Sequence, residues 1–538
     1  MADLRIDILG TVINISADED PGYLQRILQK YRKKIEDIKN ISGIKDPMSI
    51  AVLTGFILSE ELEKAGKPAN TEDENEAERL TLGMISRLDE MVPGLRLQMD
   101  TAENPKTEEK NAPIQGGIFK LKNTVKHYGW GSPEWIPALL GKNNPDRIPW
   151  AELWMGVNSA GPSRAVQADE TKGEPDAPLL SELIAAGKEA MLGKECAARY
   201  GNLPFLFKVL AAAKPLSIQV HPSTSEATEG FRRENLAGIP LDAPNRNYRD
   251  PRHKPELICA LSPFAALCGF RKKQEIYSLI EKIALISDGA VKENLENLCS
   301  ALRAEDENPH KNSIEAFVSA FFSMDASNLG QFIIKRQALL ERDFPEHRDE
   351  WRLCSYFASI YSEGSPGSKD PGIIAPLFLN LIELEPGEAI YIPAGVFHSY
   401  IYGMGIELMT DSDNVLRAGL TPKHVDKEEI LRILNFSEFK PEILKAPIPC
   451  PPLFSYPSQN EEFTLSVLKS QRNPVSYSGK GPSIVLVTEG NVTVTEGGSL
   501  KEPKTVALKT GESAFIPAGK ELIFSGSFNA FAASCKSS

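Results

Sequence analysis

The sequence predicts a mainly β fold of two β-barrels with a helical insertion, preceded by a small α+β module. Two observations carry this prediction. Beyond about residue 115, short apolar runs alternate with glycine and proline, which is typical of sandwiches and barrels. Between residues 274 and 358 the apolar residues instead recur at helical spacing, beginning with Ile276, Leu279 and Ile280. Because 538 residues exceed what one core supports, we expect about three or four domains.

Composition excludes several classes of partner. The formal net charge is −13, so the bulk charge does not favour nucleic acid or anionic lipid. The seven cysteines have no paired spacing, which favours reduced thiols over a disulfide framework. The N-terminus has no apolar signal core, and no run approaches the roughly 20 apolar residues of a membrane helix. We therefore expect a soluble, cytoplasmic protein with neither nucleic-acid nor membrane partners.

The first module is predicted over residues 1–66. Apolar residues alternate between positions 4 and 15 about Gly10-Thr11, which predicts a hairpin. Asp-Pro pairs at 20–21 and 46–47 begin two helices that end at Gly43 and Gly66. With Ile-Leu-Gly after the first strand and Asp-Pro before the second helix, this segment resembles the ZapA-like family of bacterial cell-division regulators. That family self-associates through a long C-terminal coiled coil, whereas the helix here is predicted to end at Gly66.

Residues 67–115 are predicted to hold one further helix and a polar linker. The helix begins at Thr71, where Glu74 completes a capping box, and its apolar stripe includes Leu80 and Leu88. The stripe fits either a partner helix or docking on its own domain. From residue 100 to 113 the composition is too polar to fold alone. Residues 1–110 are thus the candidate region for self-association or contact with a division protein.

A repeated motif indicates that the barrel is duplicated. Residues 386–395 read PGEAIYIPAG and residues 510–519 read TGESAFIPAG, and each is typical of a cupin-type jelly-roll hairpin. The first copy is followed by His398, while the second continues with Lys520-Glu521-Leu522 and has no imidazole. The sequence therefore predicts a catalytic barrel over 116–273 and 359–446 around a helical insertion at 274–358, and a metal-free barrel over 447–538.

Polar residues on one face of an otherwise apolar strand predict the metal site. In the segment 216–222 (LSIQVHP), Ser217, Gln219 and His221 alternate with apolar residues. Lys254 and Glu256 share one side of the extended segment HKPE. Each of these residues alone is more often an ordinary surface residue. Four residues, however, together supply two neutral nitrogens and two oxygens: Gln219, His221, Glu256 and His398. Such a set suits a Lewis-acid zinc better than a closed thiolate site.

From residue 117 onward the chain resembles the type I mannose-6-phosphate isomerases. The motifs FLFKVL (205–210), LSIQVHP (216–222), HKPE (253–256), LCGFR (267–271) and RAGLTPK (417–423) occur in that order. The resemblance implies one zinc ion per chain, a sugar-phosphate substrate and interconversion of mannose 6-phosphate with fructose 6-phosphate, a step that feeds GDP-mannose biosynthesis or mannose catabolism. It implies the zinc ligands Gln219, His221, Glu256 and His398.

The resemblance also implies pocket residues. They are Lys208, Ser217, Lys254, Tyr400, Glu407, Asp413, Arg417 and Lys423, and Arg417 matches the active-site arginine of the family. One departure is visible: the family pattern Trp-Met-Gly-Thr-His-Pro is replaced by WMGVNS at 154–159, so that Asn158 stands where the family has histidine.

Aldose–ketose isomerisation moves a proton between two carbons through an enediol(ate), so we expect zinc and Arg417 to stabilise its oxygens. Lys208, Lys254 and Lys423 are expected to offer positive charge to the sugar phosphate. The base is left open between Glu407, flanked by apolar residues, and Lys254, and either is equally a positioning group. Two other functions stay open: a metal cupin oxygenase, and a non-catalytic cell-division or assembly protein.

Overall fold

The computed structural model describes residues 2–8, 11–17, 117–167, 177–303, 312–361, 369–458, 460–497 and 504–536. The chain divides into two compact units, Met1–Lys110 and Asn111–Ser538. In the first unit, β1 (Ala2–Ile8) pairs antiparallel with β2 (Thr11–Ala17) in a register that runs from Ala2 opposite Ala17 to Ile8 opposite Thr11. This confirms the predicted hairpin. The helices predicted before residue 93 and the polar linker lie outside the described residues.

The second unit contains two antiparallel sheets and a layer of helices. Its strands are β3 (Phe119–Lys122), β4 (Thr124–Lys126), β5 (Glu152–Met155), β6 (Arg164–Gln167), β7 (Phe205–Ala212), β8 (Ile218–Val220), β9 (Glu256–Ala260), β10 (Phe264–Phe270), β11 (Leu379–Leu384), β12 (Ala389–Ile392), β13 (His398–Thr410), β14 (Leu416–Gly419), β15 (Leu453–Ser455), β16 (Thr464–Ser470), β17 (Val475–Gly479), β18 (Ser483–Glu496), β19 (Thr505–Lys509), β20 (Ser513–Ile516) and β21 (Lys520–Ser534).

Twelve α-helices accompany these strands in the described part of the second unit. They are α1 (Trp135–Leu139), α2 (Leu180–Ala186), α3 (Lys188–Leu192), α4 (Lys194–Tyr200), α5 (Thr224–Leu236), α6 (Lys273–Leu285), α7 (Gly289–Leu302), α8 (Ser313–Ser323), α9 (Leu329–Asp343), α10 (Arg348–Ile360), α11 (Ala375–Phe378) and α12 (Lys427–Ile433). Helices and strands thus occupy similar shares of the chain, which makes the class mixed rather than mainly β. Among the described helices, none is long and apolar enough to cross a membrane.

The first sheet has ten strands and is organised around the long strand β13. This strand pairs antiparallel with β7, β8, β9 and β10 along its length. All eight residues of β7 are buried, as expected for the apolar run that forms it. Because four strands meet on β13, side chains from distant parts of the chain come together along it.

The second sheet has nine strands, in which β18 and β21 form the longest pairing. Two of its strands come from the beginning of the unit: β3 pairs with β20, and β6 pairs with β3. Buried residues of both sheets share one apolar cluster that includes Phe205, Phe207, Phe463, Phe515 and Phe531. The two sheets therefore share a core, and β3 and β6 of the second sheet alternate along the chain with β4 and β5 of the first.

The predicted helical insertion is present as helices α6 to α10. The Asn312 side chain accepts hydrogen bonds from the backbone N–H groups of Ile314 and Glu315, which caps α8 and satisfies two donors at its first turn. The apolar faces of these helices share a core with Ile218 and Val220 of β8. The insertion thus packs behind the strand that carries Gln219.

Candidate metal centre

Three of the four predicted ligands lie at the ends of neighbouring strands, and Gln219 is the middle residue of β8. Glu256 is the first residue of β9, His398 is the first residue of β13, and His221 directly follows β8. In the sheet, His398 lies opposite Gln219 of β8, and β9 pairs with the other end of β13 and with β12. Apolar neighbours such as Ile218 and Val220 face the helical core, as the alternating pattern of the sequence predicts.

Three of these side chains converge on one point. The Nε2 atom of His221 lies 3.2 Å from Oε1 of Glu256, and Nε2 of His398 lies 3.3 Å from Oε2 of the same carboxylate. All three residues are buried. Ligands of a tetrahedral zinc are about 3.4 Å apart, given metal–ligand bonds of about 2.1 Å. The spacing of His221, Glu256 and His398 therefore fits one ion of this size.

Hydrogen bonds to the other ring nitrogens orient both histidines. Nδ1 of His221 lies 2.8 Å from the backbone oxygen of Asn414, and Nδ1 of His398 lies 3.0 Å from the backbone oxygen of Val396. Because a carbonyl oxygen only accepts, each Nδ1 carries the hydrogen, and in the neutral ring Nε2 keeps its lone pair. Two lone pairs and a carboxylate then face one another, an arrangement that a cation stabilises.

The electrostatics of the site keep its ligands in the metal-binding form. Burial, followed by the Lys254 ammonium, lowers the pKa of His221 to about 3. Although burial alone would raise it, the Lys254 ammonium holds the pKa of Glu256 well below its ordinary value. Lys254 Nζ lies 3.0 Å from Oε1 of Glu256, and the Tyr400 hydroxyl donates to Oε2 at 3.2 Å. Lys254 and Tyr400 are thus brought to the metal centre.

A second buried cluster is formed around Lys208. In register, Lys208 on β7 lies opposite Glu407 on β13 and opposite Trp154 on β5. Its Nζ donates to Glu407 Oε2 at 2.9 Å and lies 3.8 Å from Glu152 Oε1. Burial disfavours the charged form of Lys208, but the carboxylates of Glu152 and Glu407 raise its pKa. Burial also raises the pKa of Glu407. The charge of Lys208 is therefore matched by carboxylates.

The loop after β13 holds Asp411 and Asp413. The side chain of Asn158 donates to Oδ1 of Asp411 at 2.8 Å and lies 3.5 Å from Oδ1 of Asp413. The departure from the family pattern at Asn158 thus supplies an amide donor to this loop. Burial raises the pKa of Asp411 to about 6.

Arg417 and Lys423 lie on the outer side of the site. Arg417 is half-buried on β14, opposite Gln219, and Lys423 is exposed beyond that strand. Burial, then the Arg249 guanidinium, lowers the pKa of Arg417, and burial with Arg417 and Arg249 lowers that of Lys423. Ser217 directly precedes β8 and is half-buried.

The sequence interpretation missed several residues that the structure brings to the site. Burial, followed by the Glu152 charge, raises the pKa of Tyr128, with smaller effects from Lys208, Asp413 and Arg417. Glu152 lies in the apolar run ELWM of β5, the same signal that identified Lys208. Arg249 is an exposed arginine with no local pattern to mark it.

Comparison with known proteins finds, for each of the two parts of the chain, the family that its sequence resembles. Residues 118–273 match the family described as phosphomannose isomerase type I, catalytic domain, and residues 4–92 match cell division protein ZapA. Mannose-6-phosphate isomerase of Shigella flexneri is 36% identical over 74% of this chain and 95% of its own length. The first isomerase of Arabidopsis thaliana is 33% identical over 75% and 90%.

Solved structures agree with these relatives. A crystal structure of zinc-bound mannose 6-phosphate isomerase is 35% identical, with a TM-score of 0.65 over 78% of this chain and 100% of its own. Another, bound with zinc and yttrium, gives a TM-score of 0.64 at the same coverage.

Proposed function

The chain belongs to the family of mannose-6-phosphate isomerases and is an enzyme that interconverts mannose 6-phosphate and fructose 6-phosphate, and we propose that Gln219, His221, Glu256 and His398 hold its zinc ion. The observation that carries this assignment is the pair of histidines that each donate Nδ1–H to a backbone carbonyl and turn Nε2 toward Glu256. Gln219 is the proposed fourth ligand because it lies opposite His398 in the sheet.

The bound zinc supplies Lewis-acid stabilisation of negative charge on substrate oxygen. Arg417 adds a second positive charge at the outer side of the site, where the developing enediolate needs it. Among the buried groups, Glu407 is the better candidate for moving the proton, since its carboxylate is desolvated and its pKa is raised. Lys254 is a positioning group that holds Glu256 through a 3.0 Å contact.

Lys208 completes the inner wall as a positioning residue. Its ammonium contacts Glu407 and Glu152. The ring of Trp154 packs against this ammonium, and its Nε1 donates to Glu152 at 2.7 Å. This packing fixes the Glu407 carboxylate in one orientation. Ser217, Tyr400, Asp413 and Lys423 are the proposed substrate-binding residues, and the nearness of Tyr128 to Asp413 and Arg417 supports one continuous pocket.

A direct test combines metal analysis with an assay. The purified chain is expected to hold one zinc per chain and to convert mannose 6-phosphate in an assay coupled to glucose-6-phosphate formation. The variant Glu256→Gln is expected to lose both, while His347→Gln, on the helical insertion, keeps both. A zinc-loaded chain without turnover would refute the function, whereas turnover with full activity in Glu256→Gln would refute only the ligand assignment.

The two alternative functions are not favoured. An oxygenase of cupin type prefers more imidazole ligands and iron, and oxygen uptake with Fe(II) would be its signature. A purely structural role would leave the matched charges around Lys208 and Glu256 without a purpose.

We propose that the two sheets of the second unit are cupin jelly-roll barrels. The proposed limits are 116–273 and 359–446 for the catalytic barrel, 274–358 for the insertion and 447–538 for the C-terminal barrel. Within these limits β3 and β6 are an exception, because they belong to the second sheet, in which β3 pairs with β20 and β6 pairs with β3.

The match of residues 4–92 to a cell-division protein supports a role in self-association or in contact with a division protein. Sedimentation of the full chain and of residues 111–538 tests self-association. We expect fewer chains per particle after the deletion, and an unchanged oligomeric state would exclude self-association through this module. The cytoplasm is the proposed location, which agrees with seven free cysteines, six of them buried.

A further inference from the structure

A side chain of the second sheet reaches the segment that carries Lys254 and Glu256. This segment, residues 253–256, reads HKPE, and the side chain is that of Glu462, in the loop between β15 and β16. The Nε2 atom of His253 lies 3.0 Å from Oε2 of Glu462. The two side chains are 30% and 19% exposed, so the contact is better shielded from water than an ordinary surface pair.

Thr410, the last residue of β13, contacts the same two partners. Its hydroxyl donates to Oε2 of Glu462, and its backbone N–H donates to the carbonyl of Pro255 at 3.4 Å. Thr410 is buried, and His398 is the first residue of the same strand. One carboxylate oxygen of Glu462 therefore connects the HKPE segment to the strand that carries a proposed zinc ligand.

The loop that carries Glu462 is itself fixed in place. The backbone N–H of Tyr456 donates to the carbonyl of Leu465 at 2.9 Å, which closes the loop at its base. Asn460 Oδ1 accepts from the backbone N–H of Glu462 at 2.6 Å. The next residue, Phe463, is fully buried in the apolar cluster that both sheets share. The position of the Glu462 carboxylate is thus set by the second sheet.

A displacement of His253 is expected to reach the metal centre through the adjacent residue. His253 contacts Glu462, whereas Lys254 Nζ lies 3.0 Å from Oε1 of Glu256. Proline fixes the backbone φ angle of residue 255 and restricts the residue before it to extended conformations. The short segment therefore has little freedom to absorb a movement at its first residue.

We propose that Glu462 is a positioning residue for the isomerase reaction, which holds the HKPE segment so that Lys254 keeps its contact with Glu256. The second sheet is then required for turnover although the proposed zinc ligands all lie outside it. The inference rests on the proposed function, since it concerns the reaction of the same site. Both histidines of the site keep their own hydrogen bonds to backbone carbonyls, so zinc should stay bound when Glu462 is replaced.

The test uses the full zinc-loaded chain and the variants Glu462→Ala, Glu462→Gln and Glu461→Ala. Glu461 is the matched control, because this neighbouring carboxylate of the same loop pairs with Arg199 of α4 instead. Kinetics give kcat and KM for mannose 6-phosphate, and metal analysis gives the zinc content. Hydrogen–deuterium exchange measures how firmly the peptide of residues 251–258 is held, and thermal melting confirms that each variant folds.

In Glu462→Ala, kcat is expected to fall about tenfold, as for loss of an outer hydrogen-bond partner that orients a site. KM should change much less, because the segment serves the chemical step rather than uniform binding of substrate. Exchange in residues 251–258 should become faster, and zinc should stay at one ion per chain. Glu462→Gln keeps an oxygen that accepts from His253 and Thr410, so it should recover most of kcat and the slow exchange. Glu461→Ala should match the parent chain in every measurement.

A parent-like kcat or parent-like exchange in Glu462→Ala would overturn the inference, and so would loss of its zinc. An equal fall of kcat in Glu461→Ala would also overturn it, because the effect would then come from a general weakening between the two sheets. A parent chain that does not isomerise mannose 6-phosphate would refute the proposed function, while the exchange of residues 251–258 would still decide whether Glu462 holds this segment.

Discussion

Lys208 and Glu407 lie opposite each other on β7 and β13 and form an ion pair of 2.9 Å whose side chains are only 7% and 4% exposed. With Glu152 at 3.8 Å, the lysine is the one positive charge that these two carboxylates contact directly among the described residues. Such a cluster stabilises the fold only while its charges are matched.

Replacing the lysine is expected to expose this dependence. In Lys208→Met, two buried carboxylates lose their partner, and the free energy of unfolding should fall by about 3–5 kcal/mol. The double variant Lys208→Met/Glu407→Gln should recover a large part of that loss and remain inactive. Urea denaturation of the three chains measures the effect, and a single variant as stable as the parent would contradict the matched-charge description.

Metal content should depend on Glu256, the residue on which both histidines converge. In Glu256→Gln the negative charge between the two imidazoles is lost, so zinc affinity should fall more than about 100-fold, beyond the effect of changing an outer hydrogen-bond partner. Competition with a chelator measures it. Wild-type affinity in this variant, with His347→Gln as control, would show that the ion is held elsewhere.

The neutral amide of Gln219 should set the reactivity of the metal rather than its retention. Gln219→Glu keeps an oxygen donor but cancels one positive charge of the ion, so zinc is expected to stay bound while kcat falls at least about tenfold. Gln219→Ala should instead release zinc more readily. If Gln219→Glu matched the parent in kcat, the amide would have no electronic role.

Asp411 should make stability depend on pH. Burial raises its folded pKa to about 6, above the ordinary value of 3.8, so the folded state holds the proton more tightly. The contribution of protonated Asp411 to the free energy of unfolding is fully present below pH 4 and is lost as the pH rises to about 6. The difference is about 2–3 kcal/mol.

The variant Asp411→Asn cannot ionise and can still accept the hydrogen bond from Asn158. It is therefore expected to be more stable than the parent at pH 8 and nearly equal at pH 4, apart from the half-exposed Arg252 contact, which contributes little. Thermal melting at both values measures this. A difference between the two chains that did not change with pH would contradict the assignment.

The sequence pattern was sufficient to predict that His221, Glu256 and His398 lie together. His221 follows an apolar strand, Glu256 and His398 each begin one, and Gln219 is the middle residue of β8, so strand periodicity indicates which way they point. That His221, Glu256 and His398 meet is confirmed by their distances, while the contact of Gln219 with the ion stays a prediction.

The outer side of the site could not be predicted in the same way. Arg249 and Tyr128 lie in irregular segments, where no period relates position in the chain to position in space. Arg249 is instead placed by a tertiary contact, the hydrogen bond from its backbone N–H to Asn414 Oδ1 at 2.7 Å. The pairing of β3 with β20 was also missed, because a strand of four residues carries too little pattern to identify a partner so distant in the chain.

That pairing has a consequence for synthesis on the ribosome. Lys120 contacts Glu512, 392 positions later, so the second sheet and the core it shares with the catalytic sheet cannot close until almost the whole chain has emerged. The N-terminal hairpin, complete at Ala17, involves only neighbouring residues and can form during translation. A nascent chain can thus form its N-terminal hairpin well before it becomes an isomerase.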